Sequence, residues 1–234
     1  NPAERRRRQL AEDEVAMLRA ALDDERRRAE LAQAERDWLR EQATSVTVRS
    51  QPEAPAWHET EAGGFVLDLG APETFGEERL RQALGQLESA VVLLDVTVGS
   101  LSIDAVVVHP GGVAVVEQYD LPATAAVVSV PASGGAQVGD HALDEDPRGE
   151  VMAAVRALQK RAALDLAYLP VVAFQGPADA SAEDVLACLT SELDLAVDDA
   201  LLDRPDQQPV AAEQVVALLT RLGVPELLRV PDGF

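Results

Sequence analysis

The feature that most constrains the fold is a pair of apolar segments joined by a short turn. The segments are Leu101–Val108 (LSIDAVVV) and Val113–Tyr119 (VAVVEQY), with the turn His109-Pro-Gly-Gly112 between them. Segments rich in β-branched residues on both sides of a Pro- and Gly-containing turn predict a β-hairpin. Because both faces of each strand are apolar, the hairpin belongs in the middle of a sheet that is covered on both sides. The sequence therefore predicts an α/β fold with a mixed central sheet flanked by helices.

The same hairpin predicts an unusual pair of acids. If the turn is symmetric about Pro110 and Gly111, the numbers of paired residues sum to 221, and Asp104 lies opposite Glu117. Directly opposed residues have Cβ atoms roughly 4.5–5.5 Å apart. Two carboxylates in such a position, beside buried valines, repel each other unless a cation or a shared proton intervenes. A three-residue loop would shift the register and remove the pair.

Shorter patterns predict the remaining elements of the globular domain, which we place at residues 63–234. Thr74 and Glu77 have the spacing of a capping box at the start of a helix, and Gly223 has the place of a helix-ending residue. Residues 134–146 are predicted to form a loop rich in Gly and Asp. The predicted strands are Phe65–Leu69, Val91–Val98, Ala125–Val130, Leu169–Phe174 and Val197–Leu202, and the predicted helices are Pro72–Leu87, Arg148–Leu166, Ala182–Leu193 and Ala211–Leu222.

The N-terminal segment, residues 1–43, has the composition of a long helix. From residue 3 to residue 43 it contains no Gly or Pro and is rich in Ala, Glu, Arg, Leu and Gln. Forty helical residues would extend roughly 60 Å, which is too long for an element of a small domain. Its apolar positions follow an imperfect heptad, interrupted by Glu25 and Arg36. These positions are Val15, Leu18, Leu22, Ala29, Ala32 and Leu39.

This heptad predicts a coiled coil, and we expect self-association through residues 3–43 as a parallel dimer. A lone charged helix packed on its own domain is the alternative. Acid–base pairs at four-residue spacing, Asp23 with Arg27 and Asp24 with Arg28, would support the exposed face. Residues 44–62 are predicted to be a linker with a short strand around Ser45–Arg49.

The charge of the chain is unevenly distributed. Residues 1–50 hold 11 arginines and 11 acids, so the net charge of −21 belongs wholly to the rest of the chain. A domain this acidic repels phosphates, which disfavours a nucleic-acid partner unless the arginines of the helix supply the contact.

The sequence also limits the compartment. It contains no stretch of roughly eighteen apolar residues and no signal-peptide pattern, so we expect no membrane span in this segment. The lone Cys188 excludes an intramolecular disulfide and indicates a reducing compartment, so we expect a cytoplasmic protein. Cys188 itself is interpreted as a core residue. The abundance of Ala, Arg and Val is typical of a GC-rich bacterial source.

The pair Asp104 and Glu117 has a chemical interpretation as well as a structural one. Hard cations such as Mg²⁺ bind carboxylate oxygens, and an Asp on one strand with a Glu on the next is the acidic framework of a magnesium-dependent phosphodiesterase site. Such a site also needs a cation to position the attacking water. Acids at the rim of a sheet are the structural alternative. His58, His109 and His141 lack metal-ligand spacing, and His109, in the turn, is expected to be exposed.

Residues Ser102–Asp120 (SIDAVVVHPGGVAVVEQYD) resemble the core of the nuclease-related domain (NERD) family, whose pattern is I-D-h-h-h-V-x-P-x-G-h-h-V-I-E-h-K-N, where h is apolar. This family belongs to the PD-(D/E)XK nuclease-like superfamily. The similarity extends outwards in chain order. Gly76-Glu77 and Val91–Val98 resemble the first helix and strand of the family, Asp146-Pro147 its N-P-x-x-Q segment, and Leu169–Phe174 its late strand. The resemblance implies a restriction-endonuclease-like fold.

The resemblance also implies a catalytic site of Glu77 (or Glu78), Asp104, Glu117 and a lysine, acting with Mg²⁺ or Mn²⁺. Asp104 and Glu117 match the family pattern and are the candidate metal ligands. Glu77 is the first choice for the helix position, with Glu78 as the alternative.

The other expected polar positions have changed. Tyr119 stands in place of the lysine, Asp120 in place of an asparagine and Glu150 in place of a glutamine. A tyrosine is neutral at pH 7, and the two acids add negative charge where a phosphodiester would approach. Lys160, the single lysine of the chain, lies roughly three helical turns beyond Glu150.

From these replacements we expect a vestigial site in a non-catalytic nuclease-like domain. The domain would act as an oligomeric scaffold or partner-binding module through its N-terminal coiled coil, and it would require no cofactor. One alternative is a metal-dependent DNA nuclease that uses Glu77, Asp104 and Glu117. Another is a DNA-associated protein without cleavage activity, which binds through the arginine-rich helix.

Overall fold

A computed structural model describes two separate units of the chain, residues 1–48 and residues 49–234. Within them the described residues are 19, 22, 25–37, 57–69, 74–121, 127–132, 135–138, 141–176, 179–202 and 209–224.

In the first unit, residues 25–37 form helix α1. Its surface carries ion pairs between Arg26 and Glu30 (3.0 Å) and between Arg28 and Glu25 (3.6 Å). Ala29 and Ala32, two of the predicted seam positions, are exposed. The other seam positions except Leu22, the acids of the predicted pairs at 23 and 24, and the predicted strand at 45–49 lie outside the described residues. The coiled coil stays a prediction.

The second unit is an α/β structure built from short strands and four helices among its described residues. Helices are α2 (Phe75–Leu84), α3 (Pro147–Ala162), α4 (Leu193–Leu202) and α5 (Ala212–Leu222), and Thr190–Glu192 form a 3₁₀ turn. Strands are β1 (Trp57–Glu59), β2 (Phe65–Asp68), β3 (Val91–Val98), β4 (Leu101–His109), β5 (Gly112–Asp120), β6 (Val127–Val130), β7 (Gln137–Val138), β8 (His141–Ala142), β9 (Tyr168–Gln175), β10 (Asp179–Ala182) and β11 (Leu186–Leu189).

The predicted mixed central sheet with flanking helices is confirmed. Seven strands form it in the order β1-β2-β3-β4-β5-β9-β11, and β4 runs antiparallel to both of its neighbours. The pairs β2–β3, β5–β9 and β9–β11 are parallel. The C-terminal ends of β5, β9 and β11 therefore lie on the same side of the sheet. Helices α3 and α5 pack on one face of the sheet and α2 and α4 on the other. A smaller sheet has the order β10-β6-β7-β8.

The predicted hairpin register is confirmed. The pairs run from Ala105 opposite Val116 to His109 opposite Gly112, which leaves Pro110 and Gly111 as the two-residue turn. Valines and alanines of both strands are fully buried on both faces, as expected for the centre of the sheet.

Strict alternation along β4 would place Ile103 on the face of Ala105 and Val107. Ile103 instead packs in the core cluster of Val106 and Val108. The β3–β4 ladder lacks a pair between Leu94 and Val96, where Asp95 adopts a left-handed φ of 56°, and its register is the same on both sides of this gap. Both strands exchange faces at this irregular step, since Val96 packs with Ile103 in the same core cluster.

Two predicted elements in the C-terminal third are wrong. The predicted helix Ala182–Leu193 is replaced by the end of β10 and by β11, because residues 186–189 pair with β9 and complete the sheet. The predicted strand Val197–Leu202 is part of helix α4, which buries Leu193, Val197 and Leu201 at four-residue spacing. Tertiary pairing outweighed local propensity at both places.

Smaller differences occur at loops and ends. Trp57–Glu59, inside the predicted linker, pairs with β2, and Trp57 packs against the core. The predicted loop at 134–146 contains β7 and β8. Helix α3 ends earlier than predicted, because Ala163 adopts a left-handed φ of 47°. Within the described part of the chain, no helix has the length and apolarity needed to cross a bilayer.

Candidate functional site

The predicted site residues meet at the open end of the β4–β5 hairpin, away from its turn. Asp104 lies near the start of β4, and Glu117 and Tyr119 lie near the end of β5. Helix α2 begins beside this end on one face of the sheet, and α3 begins on the other. Topology thus gathers residues from four separate parts of the sequence.

Asp104 and Glu117 are joined by hydrogen bonds. The Asp104 carboxylate accepts the backbone N–H of Gln118 at 2.7 Å and also hydrogen-bonds the Glu117 side chain. The backbone of Asp104 in turn acts on the Glu117 carboxyl and lowers its pKa. Burial raises the pKa of Asp104, and the nearby charges of Glu77 and Glu150 raise it further.

Glu117 is the most perturbed carboxyl of the site. Burial, followed by the charge of Asp104, raises its pKa to about 8. At neutral pH Glu117 is therefore mainly protonated and donates its O–H to the Asp104 carboxylate. The shared proton removes the repulsion that the sequence predicts for this pair.

Glu77 has a structural partner of its own. Thr74 and Glu77 form the predicted capping box: the Glu77 N–H donates to Thr74 Oγ1, and the Thr74 N–H donates to Glu77 Oε2, both at 3.1 Å. Glu78 accepts a hydrogen bond from Gln82. Of the two glutamates, Glu77 is the one whose charge acts on Asp104.

Tyr119 occupies the place that the resemblance assigns to a lysine. Its half-buried hydroxyl donates to the carboxylate of Glu150, and its ring contacts Phe174 with centroids 6.2 Å apart. Burial raises the pKa of Tyr119, and the Glu150 carboxylate raises it further. The phenol is neutral at every physiological pH and supplies no positive charge.

Two further residues were not found by sequence reasoning. Gln118 points to the face of α2, where a Cβ on Gly76 would lie 2.2 Å from Gln118 Nε2 and 2.7 Å from Asp120 Oδ1. Glycine at position 76 therefore allows the start of α2 to approach β5. Asp95 lies in β3 at the gap in the ladder beside Asp104, and it adopts a left-handed φ of 56°. The spacing of acids in the sequence gives no signal for this conformation.

Lys160 and Arg148, two cations of α3, do not join this cluster. Lys160 is exposed in the last turn of the helix, whereas Glu150 is in the first, roughly 15 Å away along the helix axis. Arg148, near Glu150 in the first turn, pairs with Asp184 through two hydrogen bonds from Nε (2.8 and 3.0 Å) and one from Nη2.

A divalent metal at this site would compete with bonds that these acids already make. A metal bound by Asp104 and Glu117 would have to displace their shared proton, and Glu77 already accepts the Thr74 N–H. Among the described residues, no three His, Cys, Asp or Glu side chains form a group that could hold a metal ion. Asp104 and Glu117 stay predicted metal ligands.

The cluster as it stands can hold a proton and attract positive charge, and it repels phosphate.

Comparison with family models, with curated proteins and with solved structures finds no match to this chain.

Proposed function

We propose that the chain is a non-catalytic nuclease-like domain that acts as a scaffold or partner-binding module and self-associates through its N-terminal coiled coil. The observation that carries the proposal is the hydrogen bond from Tyr119 to Glu150. It fills the place of a catalytic lysine with a neutral group and fixes that group to an added acid. A phosphodiester at this site would meet negative charge without a compensating cation.

The order of elements supports the relation to nucleases. The resemblance implies a helix, a strand, a hairpin, a second helix and a late strand. The chain has α2, β3, the β4–β5 hairpin, α3 and β9 in that order. At the motif positions, Glu77 and Glu117 both interact with Asp104. A fold of this kind is what the restriction-endonuclease-like interpretation requires.

Cleavage of linear and supercoiled DNA with Mg²⁺ or Mn²⁺ tests the proposal. We expect no metal-dependent cleavage by the wild-type chain beyond that of an Asp104→Ala variant purified in parallel. The matched gain-of-function variant is Tyr119→Lys combined with Glu150→Gln, which restores the cation and removes the added acid. Metal-dependent cleavage by the wild-type chain that Asp104→Ala abolishes would contradict the proposal.

Self-association has a separate test. Light scattering would compare the mass of the full chain with that of a chain starting at Arg49, the first residue of the second unit. We expect a dimer for the full chain and a monomer for the shortened one. Two monomers would remove the coiled coil from the proposal and leave the domain itself as the binding module.

The second candidate is a metal-dependent DNA nuclease that uses Glu77, Asp104 and Glu117. The observation in its favour is that all three acids converge at one end of the hairpin, where Glu77 and Glu117 both act on Asp104. It differs from the first candidate in the cleavage assay, where the wild-type chain would cut and Asp104→Ala would not.

A further inference from the structure

The turn end of the hairpin holds a buried imidazole that has no part in the proposed site. His109, expected to be exposed, is only 3 % exposed. Its Nδ1 accepts the N–H of Gly111 at 3.0 Å, and its Nε2 lies 3.1 Å from Asp198 Oδ1 on α4. Because Nδ1 accepts a hydrogen bond, the neutral ring carries its proton on Nε2 and donates it to Asp198.

The same turn supports the C-terminal end of α4. A Cβ on Gly111 would lie 2.3 Å from the carbonyl oxygen of Leu201, so the turn and the helix backbone are in close contact. Val210, in the described segment that follows α4, also contacts the turn. Its N–H donates to the Pro110 carbonyl at 2.9 Å. His109 thus lies at the point where the hairpin and α4 join.

We propose that His109 and Asp198 form a pH-sensitive latch that holds α4 on the hairpin turn at neutral pH and releases it in mild acid. Acid adds a proton to Nδ1, which then faces the N–H of Gly111. Two donors oppose each other, and the hydrogen bond that shapes the turn is lost. When α4 moves away, the charged imidazole gains water instead.

The surroundings of the ring set the direction of this effect. Asp198 is the charged group that acts on it, and it favours the charged ring; burial has the larger effect and lowers the pKa of His109. The other acid one turn earlier on α4, Asp194, acts on Cys188. Asp165 is exposed in the segment between α3 and β9, and residues 209–210 carry no titratable side chain. The latch is therefore closed at pH 7.5 and opens below the ordinary histidine pKa of about 6.5.

Amide hydrogen exchange of the full chain between pH 7.5 and pH 5.5, corrected for the intrinsic pH dependence of exchange, tests the latch. We expect the opening constant of α4 to rise up to about tenfold by pH 5.5, with a smaller change in α3. In His109→Gln, a neutral side chain can accept from Gly111 and donate to Asp198, and we expect this rise to disappear. His58 and His141 are present in both proteins, so their titration cancels in the comparison.

A second variant shifts the effect in the opposite direction. Asp198→Asn keeps the imidazole but removes the charge that favours its protonated form, so the acid-induced opening of α4 should become larger. Asp198 is 40 % exposed, and its replacement leaves the core intact. Equal acid sensitivity in the wild type and His109→Gln, or a smaller effect in Asp198→Asn, would overturn the proposal.

Discussion

The two ends of the β4–β5 hairpin bury titratable groups in opposite ways. At the turn end, burial lowers the pKa of a base, His109, and each ring nitrogen has a partner of the right kind. At the open end, burial raises the pKa of two acids, Asp104 and Glu117, which need a shared proton to coexist. Desolvation favours the neutral form at both ends, so one physical cause gives two opposite pH dependences.

The turn end is therefore a structural arrangement, whereas the open end is the candidate functional site. At the turn end, a backbone N–H and one carboxylate supply the hydrogen-bond partners of the imidazole, and these contacts link the hairpin to α4. The open end gathers several acids from α2, α3, β4 and β5, and this gathering costs stability whenever the shared proton leaves. Clusters that keep strongly perturbed acids are where functional sites concentrate.

The largest expected effect comes from crowding the turn end. Gly111→Ala would place a Cβ 2.3 Å from the Leu201 carbonyl oxygen, which is backbone and not the end of a flexible side chain, so the turn or the helix must shift. We expect the free energy of unfolding in urea at pH 7.5 to fall by about 3 kcal/mol. Gly135→Ala is the matched control, since a Cβ there meets nothing within 4 Å, and it should change stability by less than about 0.5 kcal/mol. Equal effects of the two changes would show that the turn and α4 are not in tight contact.

A smaller effect is expected from the open end. Because the folded-state pKa of Glu117 is raised to about 8, its contribution to stability is fully present below its unfolded pKa near 4.5 and is lost as pH rises through 8. Above pH 7, where His109 is neutral, the free energy of unfolding should fall by up to about 1.4 kcal/mol per pH unit.

Glu117→Gln removes the ionisable group and should flatten this slope between pH 7 and pH 8.5, as measured by urea unfolding. The same slope in the variant and the wild type would assign the pH dependence to other groups.

The smallest effect concerns the hydroxyl of Tyr119. Tyr119→Phe removes its hydrogen bond to Glu150 and should lower the free energy of unfolding by about 1 kcal/mol. Tyr168→Phe is the control, because the Tyr168 hydroxyl is buried without a hydrogen-bond partner among the described residues. Its removal should be neutral or slightly stabilising. If thermal unfolding shows equal losses for both, the Tyr119–Glu150 bond contributes nothing measurable.

The hairpin could be predicted from sequence because its information is local. Pro110 and Gly111 set the turn, and the apolar faces of both strands fix the register, so Asp104 and Glu117 follow by counting. The segment from Ala182 to Leu202 could not be predicted in the same way. Its residues suit a helix or a strand equally, and pairing with β9 decides between the two.

The same distinction applies to the buried groups. The exposure predicted for His109 followed from its place in a turn, but α4, almost ninety residues later, covers it. The bond between Tyr119 and Glu150 spans 31 residues and links a strand to a helix start. The resemblance to nuclease-related domains pointed to both positions, whereas the spacing of the acids alone did not. Asp95 could not be predicted because its place depends on a left-handed backbone conformation that the sequence does not signal.

Strand β1 has a practical consequence for the study of self-association. Trp57–Glu59 form the outermost strand of the central sheet and pair with β2. A chain shortened to begin near Glu61 would lose this strand and uncover the hydrogen-bonding groups of β2. Exposed strand edges pair readily with other chains. Such a shortened protein would therefore tend to associate edge to edge. A mass measurement alone would not distinguish these dimers from dimers formed through the coiled coil.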